Sequence, residues 1–138
     1  MTPFPVRAMS TKEAHPLVRL ESVALIAIGG FAGSNLRYFT GSLLPGLQGT
    51  LLVNALGSFA LGFILYETIY SGVLANETRA VVSTGFLSSF TTYSTFALQS
   101  AQAAPVWLIL NVIANYALGF TGVLVGRSLA RRVDQRWS

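Results

Sequence analysis

Between Gly85 and Phe96 the chain reads GFLSSFTTYSTF, which sets six serine and threonine hydroxyls and one tyrosine among three phenylalanines. Such groups donate and accept hydrogen bonds without carrying charge, so the chemistry open to them is coordination of ions or water. No charged residue occurs from Ala80 to Gly126. A continuous helix here would spread Ser88, Ser89, Thr91, Thr92, Ser94 and Thr95 around most of its circumference, some of them toward lipid. Ser and Thr also compete for backbone partners and weaken helix interiors. A broken helix would instead free carbonyls, which must then be buried in protein and given partners. Broken spans that aim carbonyls at a cation recur in transport proteins, and the hydroxyls can meanwhile donate to an anion. Phe90 and Tyr93, and Tyr93 and Phe96, are three apart, so a helical segment would stack them along one side. Aromatic edges are electropositive and could face a small anion; on spacing alone, ordinary aromatic packing is the simpler account.

Other polar groups fall at membrane depth. Asn54 lies in GTLLVNALGSFALG, near the start of an apolar run, and Asn111 and Asn115 share one helix face four residues apart. Each could equally bridge helices by a hydrogen bond and do nothing else. Arg37 ends an apolar run and can extend its head to the interface. No enzyme constellation is present. His15, the single histidine, sits in a polar N-terminal arm, and Glu13, Glu21, Glu67, Glu77 and Asp134 are scattered at run ends or tails. None is at mid-membrane, where a proton-coupled carrier needs one. Neither a phosphate-cradling glycine loop nor metal-ligand spacing occurs.

The elements that must position these groups follow from composition. The 138 residues are 52% hydrophobic and 10% charged, with a mean hydropathy of +0.58. A soluble domain carries about 25% charged residues, and a chain this small cannot hide the deficit in a core. Much of its surface must therefore meet lipid. A helix needs about twenty apolar residues to cross the bilayer core, and four segments qualify, at about 20–40, 50–70, 79–103 and 105–127. GSLLPGLQG separates the first two, Ser71 to Asn76 the next two, and Pro105 opens the last. Trp107 stands where an interfacial anchor belongs. The expectation is an all-α membrane domain over 19–130 with a broken third helix, a polar arm at 1–18 and a basic tail at 131–138. Gly29 and Gly33, Ser58 and Gly62, and Gly122 and Gly126 are small residues four apart that mark candidate helix seams.

Net charge is +4, but four of the nine basic residues crowd the end of the chain (Arg127, Arg131, Arg132, Arg136). That placement suits anionic headgroups rather than nucleic acid. Leu20 to Ile28 could pass for a signal peptide's apolar region, but apolar character continues to Tyr38, which favours a retained span. With no cysteine there is no disulfide framework and no thiolate metal site. Four crossings put both termini on one side together with eight basic residues, leaving Arg37 opposite. The positive-inside rule then places both termini in the cytoplasm.

Taken together, GGFAGSNLRY (Gly29 to Tyr38), GTLLVNALGSF (Gly49 to Phe59), GFLSSFTTYSTF and NVIAN (Asn111 to Asn115) resemble, in content and order, the CrcB/Fluc fluoride channels. The resemblance touches all four spans, from about Leu20 to Gly126. It implies an antiparallel, dual-topology dimer in the cell membrane, with two narrow fluoride pores, passive fluoride efflux and a central structural Na+ ion. Backbone carbonyls of Ser88 and Thr91 match the sodium ligands. Tyr93 and Phe96 match the pore-lining aromatics, Asn54 the pore asparagine of the second helix, and Ser94 and Thr95 hydroxyls along the ion path. Asn115 is the fourth-helix candidate, and Arg37 matches the vestibule arginine.

Three departures stand out. Ser88-Ser89 replaces a common Gly-Gly, Tyr93 replaces a common Phe, and the eight-to-one charge bias conflicts with insertion both ways round. These keep a second reading open, a non-conducting or orientation-fixed partner subunit of a heterodimeric channel. A third, a small multidrug cation/proton exporter, would need Glu21 as its coupling carboxylate.

Overall fold

The structure is a computed structural model that describes residues 16–70 and 72–137. Glu13, His15 and the rest of residues 1–15 of the expected arm, like Ser71 and the Arg136 side chain, lie outside the described residues. Residues 16–18 already belong to the first helix.

Every element among the described residues is helical. The first helix, α1, runs Pro16–Leu43, and α2 runs Leu47–Tyr70. Both exceed the apolar runs that define them, because the flanking residues are helix formers and nothing stops the helix before Pro45-Gly46. Gly46 turns the chain with φ +81°, a conformation glycine adopts without strain. The third crossing is built from pieces: α3 (Asn76–Arg79), a π-helical stretch (Ala80–Leu87), α4 (Ser88–Phe90) and α5 (Tyr93–Gln102). It is broken, as the density of hydroxyls suggests. The last helix, α6, continues unbroken over Pro105–Trp137, well past the apolar run.

Three helices are long and apolar enough to cross a membrane by themselves: Pro16–Leu43, Leu47–Tyr70 and the Pro105–Gln135 part of α6. The fourth crossing is the broken one. Among the described residues few apolar side chains are buried (Val53, Leu87, Phe90, Phe96 and Ala130), while large ones such as Phe31, at 73% exposed, point outward all round. Water would not tolerate that surface; hydrocarbon does. The chain is a multi-pass membrane protein.

Two close pairs organise the bundle. The helices α2 and α6 run parallel at a fixed register of 61 residues, which pairs Asn54 with Asn115. The same register sets Arg127 over the Tyr66 ring and Arg131 over the Tyr70 ring. A Cβ on Gly126 would overlap the Phe59 carbonyl, and one on Gly62 would lie 2.7 Å from Val123 Cα. The second pair is α1 with the π-helical stretch. Here a Cβ on Gly33 would overlap the Phe86 carbonyl, and one on Gly29 would lie 2.5 Å from the Val81 carbonyl. The small-residue spacing read from the sequence therefore marks real seams. In lipid, where water does not drive helices together, such backbone approach supplies the association.

Candidate functional site

The break is two residues long. Leu87 still accepts the Thr91 amide at 3.0 Å, but Thr91 (φ −76°, ψ 159°) and Thr92 (φ −149°, ψ 118°) are extended. The Thr92 side chain restarts the helix as an N-cap, its Oγ1 accepting the Thr95 N–H at 3.2 Å. Threonine suits both tasks, because β-branching favours extended backbone and the hydroxyl supplies the cap.

Extended backbone at this depth needs partners, and Asn54 of α2 provides them. Its Oδ1 accepts the Thr92 N–H at 2.9 Å, and its Nδ2 donates to the Thr92 carbonyl at 3.1 Å. The carboxamide thus mimics a strand neighbour for one residue. The same Nδ2 donates to Asn115 Oδ1 at 3.1 Å. From there the network runs on: Asn115 Nδ2 to Asn111 Oδ1 at 2.9 Å, Asn111 Nδ2 to Ser100 Oγ at 2.8 Å, and Ser100 Oγ to the Phe96 carbonyl at 2.7 Å. Three asparagines on two helices therefore hold the break at Thr92 and the α5 helix that follows it. Thr91 seats it from below: its hydroxyl donates to Leu87 O at 2.9 Å, and its methyl occupies the space a Cβ on Gly57 would take.

Two cavities flank this clamp. The larger, about 570 Å³, is lined by Asn54, Ser88, Thr91, Tyr93, Phe96 and Asn115, with Tyr116 among its apolar wall. The smaller, about 210 Å³, is lined by Arg37, Thr50, Thr95 and Gln99. Thr92 lines both, so the Asn54–Thr92 clamp is the partition between them. The smaller cavity is lined mainly by glycines and by polar side chains, with one cation, Arg37, whose Nη1 donates to the Thr91 carbonyl at 3.5 Å. Its far wall is tied by the Thr50 hydroxyl donating to Gln99 Oε1 at 2.7 Å.

The larger cavity is aromatic. Tyr93 and Phe96 are tilted at 51° with centroids 5.8 Å apart, and the Phe96 and Tyr116 rings meet nearly edge-on, at 86° and 6.4 Å. Tyr116 in turn stacks on Phe120. The sequence spacing predicts that Phe90 also stacks with Tyr93, and it does not. The extended residues between them turn Phe90 back onto Phe86, with centroids 5.7 Å apart.

Of the residues singled out from sequence, Asn54, Ser88, Thr91, Tyr93, Phe96 and Asn115 gather around the larger cavity, and Arg37 and Thr95 around the smaller. Ser94 lies beside the partition, its Oγ 3.4 Å from Thr92 Oγ1. Sequence reasoning missed Thr92 as cap and partition, and with it Thr50, Gln99 and Tyr116. Thr92 carried a readable signal, a hydroxyl three residues before Thr95 at a helix restart. Gln99, four residues after Thr95, shares its face. Thr50 and Tyr116 carried none, since only tertiary packing brings them in.

Residues 24–127 match the family model described as CrcB-like protein, Camphor Resistance (CrcB). The protein named fluoride-specific ion channel FluC 1 of Haloarcula marismortui is 60% identical over 119 residues, covering 86% of this chain and 93% of that one. Fluoride-specific ion channel FluC 2 of Halobacterium salinarum is 51% identical over 118 residues, covering 83% and 92%. A more distant relative, fluoride-specific ion channel FluC of Methanopyrus kandleri, is 41% identical over 123 residues, covering 84% and 92%. The matched region holds the helix break, the asparagine network and both glycine seams, and the chain belongs to the CrcB family.

Proposed function

We propose that this chain is a fluoride-selective channel, not an enzyme, that lets the anion leave the cytoplasm passively and so limits its toxicity. The observation that carries the reading is the broken third crossing, with a polar cavity on one side of the Asn54–Thr92 partition and an aromatic one on the other. Fluoride is small and strongly hydrated, so a pore must replace its water with donors that do not trap it. Arg37 draws the anion toward the smaller cavity, where the Thr95 and Ser94 hydroxyls can replace hydration water, and the Asn54 and Asn115 amides can join them only by exchanging their bonds to Thr92, Asn115 and Asn111 for the anion. The ring edges of Phe96 and Tyr93 then carry it onward by quadrupole alone, without a full countercharge. The names of the relatives support the choice of anion.

The second copy belongs to the same proposal. Tyr93 is 74% exposed although it lines the larger cavity, so a single chain leaves that wall open. An antiparallel homodimer would close it and produce two pores. The break also fits a structural Na+ between the two copies. Thr92 gives its N–H to Asn54, so the Ser88 carbonyl loses its ordinary helical partner. The side-chain protons of Ser88 and Thr91 are spent on the Thr84 and Leu87 carbonyls. What remains is carbonyl oxygen, that of Ser88 without its helical partner and that of Thr91 with Arg37 Nη1 3.5 Å away, a donor type suited to a hard monovalent cation once the arginine swings aside. Ser88 and Thr91 of each copy would hold it, and it would supply cohesion at the dimer centre.

The charge bias favours one specific variant, a heterodimer in which this chain keeps both termini cytoplasmic. Eight of nine basic residues lie on the side of the termini. An exporter has no such support, because Glu21 sits exposed near the start of α1. The test is reconstitution of the chain alone into sealed vesicles loaded with potassium fluoride. Adding a potassium ionophore should release fluoride to an electrode, with no release from chloride-loaded vesicles as acid or anion current. Phe96→Ile should abolish release while leaving the dimer intact. No flux from well-folded native protein, or flux of chloride alone, refutes a self-sufficient fluoride channel. Flux restored only by a second homologous chain establishes the heterodimer instead.

A further inference from the structure

On the side of α6 away from both cavities lies a third cleft, about 500 Å³, between Phe59 of α2 and Leu124, Val125 and Leu129 of α6, with Arg132 at its end. It shares no residue with the aromatic cavity. Its two hydroxyls are internally satisfied: Thr121 donates to the Ala117 carbonyl at 2.7 Å and Ser128 to the Leu124 carbonyl at 2.9 Å. The cleft therefore presents an apolar wall and one guanidinium.

Depth decides what fits. The uncharged run ends at Gly126, and Arg132 lies about 9 Å further along the same helix axis. Headgroup layers add about 5–8 Å to each side of the hydrocarbon core, and helical side chains lean back toward the preceding turn, so the guanidinium reaches phosphate level from just beyond it. Leu124 and Val125 stay at acyl-chain level. The neighbouring arginines are engaged elsewhere, Arg127 over Tyr66 at 4.9 Å and Arg131 over Tyr70 at 5.5 Å, both on the α2 side. Arg132 is exposed, turned about 100° from Arg131 onto the lipid side.

We propose that this cleft holds one anionic phospholipid, an acyl chain against Phe59, Leu124 and Val125 and its phosphate on Arg132. The site is independent of which ion the chain conducts. A tail that merely hovered over anionic membrane would spread its attraction over all its arginines. A seated lipid depends on Arg132 and on the cleft beneath it.

The experiment is native mass spectrometry of the delipidated full chain titrated with short-chain phosphatidylglycerol or phosphatidylcholine. Phosphatidylglycerol should bind tighter by about fivefold, the preference expected for one arginine at an anionic headgroup. Arg132→Gln should erase that preference, and Arg131→Gln should keep it. Val125→Trp, which fills the cleft from an exposed position, should weaken both lipids. Equal binding of the two lipids to the native chain overturns the proposal. So does a preference that survives Arg132→Gln, or one lost equally in Arg131→Gln, which would mean a diffuse basic tail.

Discussion

Replacing Asn54 with leucine should do more damage than the same change at Asn115, although both asparagines line the same cavity. Leucine is close in volume, so packing of α2 against α6 is largely kept and the loss is of hydrogen bonds. Asn54 makes three: with the Thr92 N–H at 2.9 Å, the Thr92 carbonyl at 3.1 Å and Asn115 Oδ1 at 3.1 Å. Two of these serve extended backbone that has no helical alternative, and Thr92 is only 7% exposed. Each buried backbone group left unpaired costs about 1–3 kcal/mol, so Asn54→Leu should destabilise by about 2–6 kcal/mol. Asn115→Leu removes an acceptor from Asn54 Nδ2, which keeps its bond to Thr92, and frees Asn111 Oδ1, which can turn. Its cost should be about 0.5–1.5 kcal/mol. Reversible unfolding in mixed micelles measures both, and vesicle efflux measures function in parallel. Asn54→Leu should lose efflux together with stability, because the partition between the cavities collapses with the break. Equal destabilisation by the two changes, or an Asn54→Leu chain as stable as the native one, would refute the view that Asn54 holds the break open.

Gly33→Ala should destabilise by about 1–3 kcal/mol through overpacking, because its Cβ meets backbone, the Phe86 carbonyl, which cannot swing away; the same unfolding assay reads it. Tyr93→Phe should leave stability within about 0.5 kcal/mol, as expected of a change that keeps the ring and its packing, and should preserve fluoride efflux, since the ring contact with Phe96 needs no hydroxyl. Glu67 is buried at the end of α2, where its Oε1 accepts the Val73 and Leu74 amides at 2.8 and 3.1 Å. Glu67→Ala should speed hydrogen exchange at those two amides and cost about 1–3 kcal/mol, because both lose their acceptor. Glu67→Gln keeps an acceptor oxygen and should cost less.

The crossings were readable because lipid imposes a length and a composition on any helix that spans it. The glycine seams were readable because close approach demands a small residue every fourth position, and Gly33 and Gly126 both prove to abut backbone. The break was readable only as an excess of hydroxyls: GFLSSFTTYSTF shows that a continuous helix would be wasteful, but not where it parts. Its position depends on Asn54, 38 residues away in sequence, and no local pattern reports that pairing. The misplaced stack of Phe90 on Tyr93 has the same origin, since helical spacing was extended across two residues that are not helical. The far reach of α6 past Gly126 was hidden by its arginines. Apolar periodicity ends there, yet Tyr66 and Tyr70 hold the next turns in place.

The serine pair Ser88-Ser89 can be explained from the backbone. Ser88 has φ −65° and ψ −28°, and every non-glycine residue described has negative φ. Nothing at this position requires glycine. What the serine adds is a proton for the preceding turn. The stretch Ala80–Leu87 is π-helical, wound wider than an α-helix, and it tightens abruptly at Ser88. Carbonyls at such a change of winding lose their regular partners. The Ser88 hydroxyl donates to the Thr84 carbonyl and lies 3.4 Å from that of Gly85, one turn back. Ser89 projects toward α1, its Oγ 3.2 Å from where a Cβ on Gly30 would stand, so the second hydroxyl needs a glycine opposite. The serine pair therefore stiffens the approach to the break from the π-helical side while Asn54 fixes it from the α5 side. The Ser88 carbonyl is thereby left without the Thr92 amide, which Asn54 takes instead.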